Sequence, residues 1–520
     1  MPTSSTPPRT PRKTAICVFA AVLAAYLATA SGSLSTQDAV AVYYQTKSLA
    51  ERGAIDVPLE ISGDRWLGVD GRYHLPFGIG QAVYNVPFYA AGKLALRLTG
   101  LRVGGSEEPL LKASVALGNT VAAAICAAFV FLFAWRVSGS ARASLVVAAL
   151  FAFGSPMWPY GKFGFNAAIT SAMLVAGIYG LYVGKVSRLV GPCVWGAFAL
   201  ACAVMTRHEM LLAGLAGLAW LVAADPSQSR IRRTQIAVVG GILAGAVLAW
   251  MWFNVIRFGN PLEAGHTPTF GVVGFVGLVA SPAASVFLYA PLTVVGLAGL
   301  IRLLRTRHPA GSLLGAVTLF LFVFYALLDD WMGTRSYGPR YLVPLLPLLY
   351  ATMSVCPWGP TARTGRPRTA WLAVAALSVA VQLPAVTMNF VTVRGMAGVP
   401  TPNQAPFSWA SAPVVLNGRA MGGAIVANAK ALIGVMPVAA EQTSRGPLPA
   451  GSELSSKLSF SLDFWWLYLF HLGKLSAKTA VAALLVLLGL SAVFFRVAAV
   501  GARDSDRVRQ TTNEGCLDRP

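Results

Sequence analysis

The feature that most limits what this chain can fold into is a series of long, nearly uncharged apolar runs. They fall at about 14–30, 110–135, 142–158, 166–184, 189–206, 208–224, 234–256, 285–304, 311–329, 338–356, 369–390 and 477–498. Crossing the roughly 30 Å hydrocarbon layer takes about 20 helical residues, so each run is a candidate span. Composition points the same way: 56% of the 520 residues are AVILMFWYC and only 12% are charged, against about 25% charged in a soluble chain. No soluble core hides that much apolar surface. A membrane β-barrel would instead show alternating segments of roughly ten residues. The expected fold is all-α: a polytopic transmembrane helical bundle of about 12 spans.

Basic residues fall in alternate loops: Arg136 and Arg142; Lys185 and Arg188; Arg230, Arg232 and Arg233; Arg302, Arg305 and Arg307; Arg363, Arg366 and Arg368; Arg503, Arg507 and Arg509. Under the positive-inside rule these loops face the cytoplasm, with the N-terminus. The net charge of +21, from 41 Lys+Arg against 20 Asp+Glu, is then a property of cytoplasmic loops and not a sign of nucleic-acid binding. The six cysteines lie mostly inside apolar runs without CxxC spacing, as buried small hydrophobes do, which supports neither a zinc site nor a disulfide framework. The first run follows Arg9, Arg12 and Lys13 and ends in small residues, as a signal peptide would; because the rest of the chain spans the membrane, a retained first helix is expected. The chain then divides into a cytoplasmic N-terminus (1–13), a transmembrane module (14–390) holding external loop 31–109, an external segment (391–476), a last span (477–498) and a cytoplasmic tail (499–520). The stretch 79–99 is amphipathic and aromatic, as a short interfacial helix should be.

Ionisable residues at a membrane boundary are costly unless paired or functional. Asp38 follows the first span closely, with Thr36 or Ser35 as a possible helix N-cap; the purely structural reading is an acid favoured by the helix dipole. The segment GDRWLGVDGRYHLPFGIGQ adds Asp64, Asp70, Arg72, Tyr73 and His74, with Asp70-Gly71 as a turn. Arg207 and His208 sit between two apolar runs, Lys162 in a seven-residue external loop, and Arg335 and Arg340 in DDWMGTRSYGPRYLVPLLPLL. Such cations at the external mouth of a bundle suit a phosphate, which a guanidinium grips with two hydrogen bonds. The alternative is pairing, Arg340 with Asp329 or Asp330 and Arg207 with Glu209. No Walker loop, HExxH or GxSxG elbow is present.

Several phrases taken together resemble a known family. They are an aspartate soon after the first span, DGRYHLPFGIGQAVYNVPFYAAG, NVIRFGNPLEAGHTPTFGVVGFVGLVASPAASVFLYAP and WMGTRSYGPRYLVPLLPLL. In order and spacing over residues 14–356 they resemble bacterial membrane glycosyltransferases of the GT-C superfamily, relatives of protein O-mannosyltransferases and aminoarabinose transferases. The resemblance implies a GT-C bundle whose long external loops carry short interfacial helices. It implies a polyprenyl-phosphate-linked sugar donor used at the external face of the inner (plasma) membrane. Asp38 becomes the expected general base, and Arg340, Lys162 and Arg207 the groups facing the donor phosphate. The expected substrate-facing set is Asp70, Tyr73, His74, His208, Arg257, His266, Trp331 and Tyr337.

One departure stands out. Where many relatives have a second carboxylate after the third span, this chain reads PYGKFGFNAA, with Asn166 near the expected place; Asp70 or Glu263 is left to supply an acid. No catalytic metal and no cofactor are expected. The expected activity is inverting transfer of a sugar to a cell-envelope glycan, lipid or protein within the bilayer's outer face. A secondary transporter or lipid flippase is the alternative, and a non-catalytic envelope scaffold a third.

Overall fold

The computed structural model describes residues 10–62, 66–103, 105–223, 230–263, 269–333, 336–360, 366–397, 404–436, 458 and 461–517. Helix α1 (Thr10–Ala28) leads to an excursion of α2 (Gln37–Arg52), α3 (Leu59–Ser62) and α4 (Gly80–Thr99). Then come α5 (Glu108–Ser138), α6 (Ala141–Phe153), the single turn α7 (Met157–Tyr160), α8 (Ala167–Ser187), α9 (Val190–Thr206) and α10 (Leu211–Val222). The second half holds α11 (Arg230–Phe258), α12 (Val273–Ala280), α13 (Val286–Tyr289), α14 (Thr293–Arg305), α15 (Pro309–Leu327) and α16 (Leu346–Thr352). It closes with α17 (Arg366–Thr387), α18 (Phe390–Ala397), α19 (Pro413–Leu432), α20 (Trp465–His471) and α21 (Ala477–Leu517). The described residues form no sheet, only isolated bridges such as Leu67 with Tyr73.

Among the described residues, seven helices are long and apolar enough to cross a membrane: α1, α5, α8, α11, α15, α17 and α21. Four shorter apolar helices, at Ala141–Phe153, Val190–Thr206, His208–Val222 and Arg340–Val355, lie among them. The chain is an integral membrane protein of the all-α class. Some expected spans are broken, and proline is the reason. The run 285–304 is split at Pro291 into α13 and α14. The run 338–356 becomes a 3₁₀ stretch, Arg340–Leu345, containing Pro344, then α16 with Pro347 in its first turn. Proline removes an amide donor and clashes with the preceding turn. In the other direction, the last run grows: α21 continues unbroken to Leu517, through the stretch expected to be a tail. The stretch 79–99 forms α4, packed against α2 and α5.

The core centres on α5 and α8, whose faces bury Cys126, Val130, Phe133, Leu174 and Ile178 completely. Helices α11 and α21 turn Leu248, Trp252 and Leu485 outward, as lipid-facing helices do. The basic loops interlock: Lys185 donates to the Trp220 carbonyl, Gln235 to those of Gly184 and Leu189, and Arg302 to that of Val355. Asp506 of α21 caps α6, its Oδ1 accepting the Ala141 amide at 2.7 Å and its Oδ2 the Arg142 amide at 3.3 Å. A carboxylate there satisfies amides that the helix itself cannot and meets the positive end of its dipole. Replacing it, Asp506→Ala, is expected to cost about 1 kcal/mol of stability. A fall in melting temperature of the detergent-solubilised protein, with the helical signal at low temperature unchanged, checks this.

Candidate active site

The site starts from a helix cap. Thr36 Oγ1 accepts the Ala39 amide at 3.2 Å and opens α2, placing Asp38 in its first turn. The dipole favours a carboxylate there, so the structural reading of Asp38 holds. Its carboxylate is also met by a cation from far along the chain. Arg340 Nη2 donates to Asp38 Oδ2 at 2.7 Å, across 302 residues of sequence. Neither Asp329 nor Asp330 takes Arg340; Asp330 Oδ2 instead accepts the Tyr341 hydroxyl at 3.2 Å. Arg340 is presented by the turn before it. Gly338 has φ of +71°, and a Cβ there would sit 2.5 Å from Tyr289 Cγ. Only glycine tolerates both.

The pair lies in a small cleft of about 10 Å³, lined also by Val42, Phe77, Gln81, Phe165, Asn166 and Thr206. The Arg340 guanidinium lies 3.9 Å over the Phe165 ring, a cation–π contact strengthened by its low exposure. Arg340 is 11% exposed and Asp38 38%. Two buried polar atoms in this cleft have no partner, Arg340 Nε and Asn166 Oδ1. The loop between α2 and α4 closes over it because Gly78, also in the lining, meets the Met205 carbonyl so closely that a Cβ would overlap it.

Arg207 borders this cleft through its neighbour Thr206. Its Nε donates to Glu209 Oε1 at 2.9 Å, the pairing that the sequence alternative names. The guanidinium also lies 5.3 Å from the Tyr325 ring and 5.0 Å from that of Tyr341, and these two rings stack on each other. Tyr325 donates to the same Glu209 oxygen at 3.0 Å. Arg207 Nη1 is buried without a partner. His208, beside it, is exposed and stacks on Trp250.

Several expected site residues are placed elsewhere. Lys162 does not face an open cleft: its ammonium pairs with Asp463 Oδ2 at 3.0 Å and donates to the Val386 and Asp463 carbonyls, with both side chains buried. Asp463 also accepts from Ser31 and Tyr468, each at 2.6 Å. Burial pulls the Lys162 ammonium below the ordinary lysine range, with Asp463 opposing. Arg257 is equally enclosed, donating to the carbonyls of Leu75, Phe77 and Phe253 and to Asn254 Oδ1. It fixes the loop that carries Phe77 into the cleft and does not line the cleft itself. Tyr337 is buried, its hydroxyl donating to the Val381 carbonyl at 2.6 Å. Trp331 packs its ring against Gly277 of α12. Tyr73 packs with Val57 and Leu75 in the excursion between α1 and α5.

Asp70 and His74 pair with each other at 3.0 Å. Burial pushes the Asp70 carboxyl up, but hydrogen bonds from His74 and the Arg72 amide outweigh it and hold it below the usual range. Neither Asp70 nor Glu263 lines the Asp38 cleft. His266, Asp64 and Arg335 lie outside the described residues. Sequence reasoning missed Phe165, Gln81 and Asp463 as partners of this region. Among the described residues, no group of three or more His, Cys, Asp or Glu is arranged to hold a metal ion.

Helix class and cleft together define an integral membrane protein with a paired carboxylate and guanidinium where two bundle loops meet. Neither a family model nor a curated protein matches the chain. Among solved structures it is similar to the Archaeoglobus fulgidus oligosaccharyltransferase tethered with an acceptor peptide, at 12% identity and TM-score 0.43, over 77% of this chain and 59% of that one. It is also similar to arabinosyltransferase EmbB from Mycobacterium smegmatis, at 14% identity and TM-score 0.42, over 98% and 42%. A third is the A. fulgidus oligosaccharyltransferase AglB in complex with an inhibitory peptide and a dolichol-phosphate, at 11% and 0.43, over 90% and 64%. The chain thus spans between 42% and 64% of the length of these structures.

Removing one member of the Lys162–Asp463 pair leaves a buried charge unmet, which costs about 3–5 kcal/mol. Asp463→Ala is therefore expected to lower the melting temperature strongly. Adding Lys162→Met to it should recover much of the loss; a double variant as unstable as the single would contradict the pairing.

Proposed function

We propose that the protein is an inverting glycosyltransferase that takes a sugar from a polyprenyl-phosphate donor and passes it to a cell-envelope glycan, lipid or protein. The observation that carries this reading is the Asp38–Arg340 pair beside an apolar groove on the same chain segment. Immediately after Arg340, residues Leu342, Leu345, Leu346 and Leu349 form one wall of a cavity of about 540 Å³. Helices α14 and α15 supply the other walls, through residues such as Leu297 and Phe322, and nearly every lining residue is apolar. A lipid with a charged head and a long hydrocarbon tail has the same two-part chemistry.

In the proposed step, the Asp38 carboxylate takes the proton of the acceptor hydroxyl as its oxygen bonds to the sugar's anomeric carbon. The bond from that carbon to the phosphate oxygen breaks, and the oxygen leaves with the electron pair on the prenyl phosphate. Attack opposite the leaving group inverts the centre. A phosphate leaves without protonation, so one base suffices, worth typically about 10²–10⁴-fold. Arg340 meets the charge growing on the phosphate. Its unpartnered Nε gives it a donor in reserve, and Arg207, with Nη1 free of a partner, stands one cleft wall away.

In the resting pair, Arg340 neutralises Asp38. An arriving phosphate competes for the guanidinium and leaves the carboxylate free to act as base. The reading places the site at the external face of the plasma membrane, opposite the basic loops. The transporter alternative would favour ionisable groups along a mid-membrane path, whereas these meet at one end of the bundle.

The test is a transfer assay with purified protein and a panel of polyprenyl-phosphate sugars. Asp38→Asn should lower kcat by at least 10²-fold with an unchanged melting temperature. Arg340→Lys, which keeps the charge but loses the two-pronged grip, should raise KM for the donor. A wild-type rate in Asp38→Asn, or lipid movement without any covalent product, would reject the proposal.

A further inference from the structure

At the end of the bundle that holds the basic loops, a second groove lies far from the Asp38 cleft. It runs between α1 and α5, with Ile16 and Phe19 on one side and Ile125, Phe129 and Leu132 on the other, around a cavity of about 420 Å³. Arg12 is the one polar residue of its lining. Helix α1 begins at this end and α5 finishes there, so the two run antiparallel along the groove. Arg12 precedes Ile16 by about one turn, and Arg136 follows Leu132 by about one turn on the same face of α5. Arg12 lines the groove, whereas Arg136 lies one turn beyond its lining, its guanidinium 5.4 Å from the Trp135 ring. Arg12 is exposed and makes no ion pair among the described residues.

We propose that this groove binds an anionic glycerophospholipid from the leaflet on the basic-loop side. The acyl chain lies between α1 and α5, along a stretch of about 10 Å from Arg12 to Phe19 at about 1.5 Å per residue. The phosphate rests on Arg12, whose planar guanidinium matches its oxygens. Charge complementarity selects this occupant. A lipid without net charge fills the apolar part equally well but brings its own cation beside that arginine. Basic side chains next to a bilayer attract acidic head groups for the same reason. The inference is independent of the glycosyltransferase reading, since it involves neither Asp38 nor Arg340.

The experiment melts the purified full-length protein in neutral detergent with added phosphatidylglycerol or phosphatidylcholine at equal mole fraction. Phosphatidylglycerol should raise Tm by several degrees more than phosphatidylcholine. Arg12→Gln, an exposed change that leaves folding intact, should remove at least half of that excess. Ala128→Phe, which fills the groove, should blunt the response to both lipids. Arg305→Gln, in another basic loop, should leave the excess in place. Equal responses of the wild type to the two lipids would overturn the proposal, as would an undiminished excess in Arg12→Gln or an equal loss in Arg305→Gln.

Discussion

An ion pair withdrawn from water persists only if each charge meets the other and the remaining lone pairs and protons are satisfied. Lys162 and Asp463 meet each other at 3.0 Å, with Asp463 Oδ2 facing the ammonium and no other donor, and one end of the bundle is organised around them. The ammonium has a carboxylate and two carbonyls as acceptors, and the carboxylate has Ser31 and Tyr468 as further donors. Four distant pieces of chain thereby converge: the end of α1, the loop before α8, the end of α17 and the start of α20. The tryptophans of α20 complete the join, the Trp465 and Trp466 indoles donating to the Leu27 and Ala28 carbonyls at 2.9 Å. Those carbonyls end α1 and have no partner within their own helix.

From Lys162 the chain needs only four more residues to build one wall of the cleft. The Gly164 carbonyl accepts from Gln81 at 2.8 Å, Phe165 lies under Arg340, and Asn166 starts α8. The expected phosphate ligand is thus a positioning group for the surface against which Arg340 rests. Arg257 acts in the same way from the other side by holding Leu75 and Phe77. In both cases a buried cation orders backbone carbonyls near the site and does not itself face it.

The segment after Gly338 joins a cation to an apolar wall. Prolines 344 and 347 keep it from forming one regular helix at its start, so Arg340 stands at the mouth while the leucines behind it line a groove. A single element therefore sets the distance between cation and apolar wall. Rearrangement of one would be felt by the other.

The sequence by itself determined that this is a helical membrane protein, because hydrocarbon tolerates only backbone that satisfies its own hydrogen bonds and the apolar runs leave no other way to do so. It also singled out Asp38 and Arg340, since an unexplained charge beside an apolar run is conspicuous in one dimension. What it could not decide was pairing. Lys162, Arg257 and Arg340 look alike in sequence, each a cation next to a membrane boundary, yet two are enclosed among carbonyls and one meets Asp38. That outcome depends on partners 302 residues away for Arg340 and 301 for Lys162. Local pattern fixes which residues are costly to bury, and only the packing of distant helices decides what each of them is buried against.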